Sequence, residues 1–351
     1  MSAHHGRRSA IGTAMLVRLG ELTNRTFILP LLIFYPTSRC NSRCVSCDWW
    51  KQSGEGDLTL AEIGELAAAL PALGTRVVAF SGGEPLLRPE VFDAARLFRA
   101  RGVTLHLLTS GVLLERFADR VAEHFVRVTI SLDAATEPLY EQVRGVAALR
   151  TVEKGVAHLR RIAPAIPVTA RATLQRANFR ELPRLIEHAK AMALDGISFL
   201  AADVSSTAFG REHPPDAMAL ALGPGDVREF AEVVERTIVD ARADFDSRFV
   251  AQSPDELRRL PRYYAALDGG AAFPPVACNA PWVSVVLEAN GAVRPCFFHE
   301  PVGNIREAPL ASIVGENLRA FRSSLDVDAN PVCRRCVCSL KTGWSGGPWQ
   351  Q

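Results

Sequence analysis

The chain has 351 residues, of which 48% are hydrophobic and 22% charged, with a formal net charge of +2. That composition describes a globular protein able to bury a large core without disulfide staples, as one large domain plus a smaller one. Nothing in it calls for nucleic acid or an anionic membrane, since no dense basic run occurs.

At the N-terminus, Arg7 and Arg8 precede a mildly apolar stretch. Arg18, Glu21 and Arg25 interrupt it and no small-residue cleavage pattern follows, so it does not read as a signal peptide. The run Phe27–Tyr35 is too short to span a bilayer and reads as a buried strand. The eight cysteines fall into two groups, Cys40–Cys47 and Cys278–Cys338, with none between. A secreted disulfide framework would scatter them; two tight groups read as two metal sites in a reducing, cytoplasmic compartment.

From Ile28 to Ala201, short apolar runs alternate with helical patterns. The expected strands are Leu29–Pro36, Arg76–Phe80, Val103–Leu108, Val126–Leu132, Pro167–Leu174 and Gly196–Leu200. Each is nearly continuously apolar, as parallel strands covered on both faces should be. Thr59 with Glu62, and Asn178 with Glu181, form capping-box patterns before two of the intervening helices. Six β-then-α units imply an α/β fold with a parallel sheet, open or curled into a partial barrel.

Ala202–Pro224 reads as an irregular loop and Asp226–Asp244 as an amphipathic helix. Phe245–Pro275 reads as a link to the tail. There Trp282–Leu287, the turn Asn290-Gly291 and Ala292–Pro295 form a hairpin pattern, followed by a short helix over Ala311–Ser323. Gly343–Gln351, rich in Gly, Trp and Pro, reads as a mobile segment or flap. The expected divisions are 1–27, an N-terminal extension; 28–225, the barrel; 226–275, a helical linker; and 276–351, a small second metal domain.

Cys40-x3-Cys44-x2-Cys47 follows directly on the first strand. Three thiolates can wrap three irons of a cubane and leave the fourth iron open to a small chelating molecule. The competing readings are a zinc site or three unrelated buried cysteines; zinc wants four ligands, and this loop has no fourth cysteine and no histidine. Further polar residues recur at or near successive strand ends: Ser81-Gly82-Gly83-Glu84-Pro85, Thr109-Ser110-Gly111, Ser131-Leu132-Asp133, and Arg171 within the fifth strand. Ligands bind at the C-terminal ends of parallel strands. A lone Gly-Gly-Glu is usually a turn and a lone Ser or Asp a helix cap, but their repetition favours one shared site.

Cys-x3-Cys-x2-Cys after strand one and Gly-Gly-Glu-Pro after strand two resemble the radical S-adenosylmethionine (SAM) superfamily, over roughly Leu29–Ala201. The resemblance implies a (βα)6 partial TIM barrel, a [4Fe–4S] cluster on Cys40, Cys44 and Cys47, and SAM chelating its open iron. It implies that Gly82, Gly83 and Glu84 meet the methionine amino group, and that Ser110 and Gly111 lie near the adenosine. Ser131 and Asp133 would face the ribose or methionine, and Arg171 the carboxylate, with Asn178 a second choice. The charges match: ammonium to Glu84, carboxylate to Arg171. The chain departs from the pattern just before the third cysteine, where the family's aromatic is Ser46; Trp49 and Trp50 are the substitutes at hand.

In the tail, Cys278 and Cys296 bracket the hairpin, and Cys333-x2-Cys336 can close a four-thiol site. Spacing alone does not separate zinc from iron–sulfur; the first cysteine group upstream favours iron–sulfur. The segment resembles the SPASM/Twitch extension of the same superfamily. Its five cysteines fit the shorter Twitch form, a hairpin and helix carrying one auxiliary [4Fe–4S] cluster. Cys338 is a replacement for Cys336 or a spare thiol, and His299 an alternative ligand.

The resemblance implies a SAM-derived radical that abstracts hydrogen, an auxiliary cluster as electron acceptor, and an electron donor such as flavodoxin or ferredoxin. Two substrate classes compete: a sugar or aminocyclitol to be oxidised, and a ribosomally made peptide. Only 39 residues precede Cys40, whereas a leader-binding domain needs about eighty or more, which tilts the expectation to a small polar substrate. Asp203, Ser205, Arg211, His213, Tyr263 and Tyr264 are candidate mouth residues, although loops are polar in any case. A non-catalytic iron–sulfur or zinc scaffold is the third reading; Glu84 and Arg171 argue against it, because electron transfer needs no amino-acid chelate pocket.

Overall fold

The computed structural model describes residues 10–338 and 340–341, with the side chains of Ala10 and Ile11 excepted. The expected flap, Gly343–Gln351, lies outside the described residues.

Helix α1 (Ala10–Thr23) precedes β1 (Leu31–Phe34). Five further parallel units follow: α2 (Leu60–Leu73) and β2 (Val77–Phe80), α3 (Val91–Arg99) and β3 (Thr104–Thr109), α4 (Leu114–His124) and β4 (Arg127–Ser131), then α5 (Glu137–Arg144) and α6 (Leu149–Ile162) before β5 (Val168–Leu174), and α7 (Leu182–Ala191) before β6 (Gly196–Ala201). Each expected strand is present: β1, β2, β4 and β5 are shorter than expected, β3 is shifted by one residue, and β6 runs one residue further. Phe34 of β1, Phe80 of β2 and Phe98 of α3 pack edge to face at 5.2–5.7 Å between ring centres, joining the sheet to the helix.

The α2 capping box forms as read: Thr59 Oγ1 accepts from Glu62 N–H while the Glu62 carboxylate accepts from Thr59 N–H. The second expected box does not. Asn178 is fully buried and caps nothing; its Oδ1 accepts from Gln175 N–H at 2.7 Å, and its Nδ2 donates to the carbonyls of Asp133 and Thr173. A buried amide between two strand ends satisfies more polar groups there than an exposed cap would.

Beyond β6 come α8 (Ala217–Leu220), α9 (Pro224–Asp240), α10 (Arg242–Asp246) and α11 (Pro254–Leu267). Helices α9 and α11 contribute to the core: Tyr264 of α11 is buried, donates to Leu174 O at 2.5 Å and accepts from Ala202 N–H at 2.9 Å. The tail holds α12 (Ala280–Val283), β7 (Ser284–Leu287), β8 (Ala292–Arg294) and β9 (Gly303–Asn304), then α13 (Leu310–Ser312), a π turn at Ile313–Asn317, α14 (Leu318–Ser324) and α15 (Pro331–Arg334).

Among the described residues the strands form one sheet, ordered β6-β5-β4-β3-β2-β1-β7-β8-β9. The barrel does not close, because β1 pairs with β7 in parallel (Leu31 with Ser284) rather than with β6. The hairpin β7–β8 is antiparallel across the expected Asn-Gly turn, where Gly291 has φ 89°. The tail is thus hydrogen-bonded directly to the barrel's first strand. The first residues tie in as well: Trp282 Nε1 donates to Asn24 Oδ1 at 3.1 Å, and the buried Arg322 donates to Thr26 Oγ1 at 2.6 Å and to Pro281 O at 2.8 Å. No helix among the described residues is long and apolar enough to cross a membrane.

Candidate active site

All six parallel strands end on one cavity of about 250 Å³. Its wall contains Tyr35 after β1, Gly82 and Gly83 after β2, Ser110 after β3, Ser131 and Asp133 at β4, Arg171 on β5 and Asp203 after β6. Cys40, Cys44 and Cys47 face the same space. The structure therefore brings together nine of the twelve residues assigned to the cluster and SAM from the barrel sequence; Glu84, Gly111 and Asn178 do not line the cavity.

The cysteine loop is held from two sides. Arg43 and Val45 donate N–H bonds to the carbonyls of Arg144 and Val143 at the end of α5, at 2.8 and 3.1 Å. On the other side Gly83 and Glu84 donate to the carbonyls of Thr37 and Arg39. A Cβ on Gly83 would stand 2.1 Å from Arg39 O, so only glycine lets these chains meet.

Glu84 is fully buried, and its carboxylate is spent within the protein. It accepts from Leu86 N–H at 3.1 Å, Thr109 Oγ1 at 2.7 Å and Ser110 N–H at 2.7 Å. It ties the end of β2 to the end of β3 and does not line the cavity. Gly111, with φ 82°, turns the chain behind Ser110 instead of lining the cavity. Trp49 is buried on the wall, edge-on to Tyr35 at 5.7 Å, whereas Trp50 is exposed beside Lys51 and Arg43.

Sequence reasoning missed Arg144. It lies on the cavity wall, and its Nη1 donates to Asp133 Oδ2 at 3.1 Å. Burial works against its charge, but Cys44, Tyr140 and Asp133 outweigh that and hold its pKa above the ordinary arginine value. For Arg171, burial pulls the pKa down, with Cys338 acting the other way, and its Nε donates to Ser198 Oγ at 3.2 Å. On a short amphipathic helix Arg144 looks like any exposed basic residue; the Arg-Gly pair closing α5 was its only local signal.

Of the mouth residues, Asp203 and Arg211 form a buried ion pair at 2.6 Å. Asp203 also accepts from the hydroxyls of Ser205 and Ser206. Tyr263 and Tyr264 are core residues of α11, and His213 is exposed.

Cys278, Cys296, Cys333 and Cys336 surround a second, smaller cavity with His299, whose Nε2 lies 3.3 Å from Cys333 Sγ. Phe298 lines both cavities. Cys338 stands on the wall of the first cavity, with its N–H 3.4 Å from Cys336 Sγ.

The donor chemistry suits iron–sulfur clusters. Backbone N–H groups reach the sulfurs: Ser42 to Cys40, Trp49 to Cys47, Ala280 to Cys278 and Phe298 to Cys296. Such N–H···S bonds stabilise cluster thiolates and set their potentials. Burial pushes the Cys40 thiol up to about 11 and those of Cys47 and Cys296 up to about 12. A cationic centre among them reverses that direction. Among the described residues, no three Cys, His, Asp or Glu side chains are grouped as a single metal ion would need.

An open parallel barrel with thiols and an amino-acid-sized set of charges at its strand ends defines a cofactor-using barrel enzyme. Family models bear this out. Residues 34–189 match the radical SAM superfamily, and residues 278–337 match an iron–sulfur cluster-binding domain, SPASM. The chain therefore carries a radical SAM domain followed by a C-terminal SPASM iron–sulfur domain. Its cofactors are accordingly SAM, a [4Fe–4S] cluster and auxiliary iron–sulfur chemistry.

Among relatives, the AdoMet-dependent heme synthase of Methanosarcina barkeri is 26% identical over 323 residues, 90% of each chain. The PqqA peptide cyclase of Methylobacterium nodulans is 27% identical over 328 residues, covering 88% of this chain and 79% of its own. The crystal structure of Streptococcus suis SuiB bound to precursor peptide SuiA has a TM-score of 0.64 at 14% identity, over 92% of this chain and 74% of that one. At that identity the likeness is one of fold.

Proposed function

We propose that this enzyme modifies a peptide by radical chemistry. The observation that carries the reading is the state of the cavity's carboxylates. Asp133 is engaged by Arg144 and by Thr173 N–H, Asp203 by Arg211 and two serines, and Glu84 lies behind the wall. A sugar or aminocyclitol, the substrate favoured by sequence reasoning, would need such acceptors for its hydroxyl and ammonium groups. The relationship to PqqA peptide cyclases across both domains points the same way.

In this reading Cys40, Cys44 and Cys47 hold the cluster that binds SAM, and Cys278, Cys296, Cys333 and Cys336 hold an auxiliary cluster. When bound, the first cluster supplies one electron that cleaves SAM to a hydrogen-abstracting radical. Arg171, buried on β5, pairs with the SAM carboxylate, since a buried guanidinium is stabilised by an anionic partner. The backbone of Gly82 and Gly83, not the Glu84 carboxylate, receives the amino group. Ser110, Ser131 and Asp133 border the nucleoside. Arg144 keeps a fixed positive charge beside Cys44. A cytoplasmic location and a flavodoxin- or ferredoxin-type donor follow from the need for a reducing compartment.

A second reading has one observation in its favour, the end-to-end match to a heme synthase. A porphyrin substrate brings carboxylates, yet Arg144 and Arg211 are already paired with Asp133 and Asp203. The test is mass spectrometry after anaerobic turnover with deuterated candidate peptides, with iron porphyrins and aminocyclitols as the other arms. Deuterium in 5′-deoxyadenosine from a peptide supports the proposal; transfer only from a porphyrin or a sugar overturns it.

A further inference from the structure

We infer that the part of the cavity facing the auxiliary cysteines is an apolar side-chain pocket, and that the substrate residue it receives is aliphatic or aromatic. This rests on the peptide reading above and names the kind of residue that reading leaves open.

Trp49, Phe209, Phe297 and Phe298 build the pocket wall. They come from distant parts of the chain: the cysteine loop, the segment after β6, and the turn that follows Cys296. Phe209 and Phe297 stack with centroids 6.4 Å apart and planes 23° from parallel, and Phe298 meets Phe209 edge-on at 6.0 Å. Phe209 and Phe297 remain half-buried, so apolar surface is left facing the cavity.

Phe209 is held there against its backbone preference. Its φ is 67°, a costly conformation for a bulky residue, and the next residue, Gly210, has φ 74°. A Cβ on Gly210 would meet the Trp49 indole at 2.8 Å. Three contacts over-determine the strained turn. Phe209 O accepts from Asp48 N–H at 3.0 Å, Arg211 donates to Ala208 O at 2.6 Å, and the Arg211–Asp203 pair anchors the loop in the interior. Strain that the surroundings maintain beside a reaction centre indicates that the ring's position matters for function. The neighbouring charges are paired with one another, so the pocket offers apolar contact and little to compensate a buried ionic group.

The test is ligand-observed NMR on the anaerobically reconstituted protein with SAM bound. The probes are N-acetyl-leucine amide, N-acetyl-phenylalanine amide, N-acetyl-aspartate amide, N-acetyl-lysine amide, glucosamine and isoamyl alcohol. The leucine and phenylalanine amides are expected to bind about tenfold or more tighter than the charged amides and the amino sugar. Phe209→Asn keeps a residue that tolerates the left-handed backbone but removes the ring. It should erase that preference, as should Phe297→Gln, while Phe209→Leu keeps it; iron content checks that the variants stay loaded. Equal or tighter binding of a charged amide or of glucosamine, binding of none of the probes, or a preference that survives both polar variants would overturn the pocket. If isoamyl alcohol binds as tightly as the leucine amide, the pocket stands and the peptide reading fails.

Discussion

The two cysteine regions are built on opposite plans. The first is local: three thiols in eight residues, on one loop clamped between the end of α5 and the turn after β2. The second gathers Cys278, Cys296, Cys333 and Cys336 from segments that meet only because β7 pairs with β1 and α15 folds back. A short loop closes at small entropic cost, whereas the assembled site depends on the fold around it. The first site should therefore fail by chemistry and the second by architecture.

The largest effect should come from separating the two. Cys44→Ala should abolish 5′-deoxyadenosine formation and lower iron from about eight to about four per chain. Cys296→Ala should lose a similar amount of iron yet still cleave SAM. Iron analysis and chromatography of SAM products check both. If Cys296→Ala also stops SAM cleavage, the sites are not independent.

Next comes the loop that bridges the regions. Arg211→Met leaves the Asp203 carboxylate buried with its serine partners alone, which should cost about 3–5 kcal/mol. Anaerobic thermal unfolding measures it. An effect within about 0.5 kcal/mol, typical of surface substitutions, would mean the loop is not anchored as described.

Glu84 sharpens the comparison on the barrel side. As a scaffold residue with three donors, it should lose about 2 kcal/mol of stability on replacement by Gln, whose NH2 group faces an N–H. If instead it receives the SAM amino group directly, Glu84→Gln should weaken SAM binding with stability unchanged. Unfolding with and without SAM separates the two.

Legibility in the sequence followed the same divide between local and assembled features. The six barrel strands and the hairpin could be read because each signal is contained in a few neighbouring residues: continuous apolar runs, and Asn290-Gly291. The parallel pairing of β1 with β7 could not, because no local pattern encodes a register between segments so far apart. Helix α1 was missed since Met15, Leu19 and Leu22 remain exposed, blurring its apolar stripe. Asn178 and Glu84 were singled out as a cap and ligand candidates, and in the structure their side chains bond to protein groups. In each case a buried polar group was satisfied by a neighbouring strand end, which sequence position does not reveal. Arg144 and Phe209 gained their importance entirely from what packs around them.

The smallest effect tests the seam between the regions. Arg306, just after β9, pairs with Glu62 in the first turn of α2 at 2.6 Å, both side chains being partly exposed. The Arg306 guanidinium, followed by the Thr59 N–H and hydroxyl, lowers the Glu62 carboxyl from 4.5 to about 2. Because the folded value lies below the unfolded one, this stabilisation is fully present above about pH 4.5 and fades as pH falls towards 2. Exposure and salt screen the pair, so Arg306→Ala should cost only about 0.5 kcal/mol at neutral pH and less at high salt. The difference from the parent protein should shrink as the pH drops below 4.5, but some acid sensitivity should remain, since the Thr59 cap still holds the carboxylate. A loss several times larger, insensitive to salt, would mean that the tail's attachment to the barrel depends on this surface contact and not on the β1–β7 ladder.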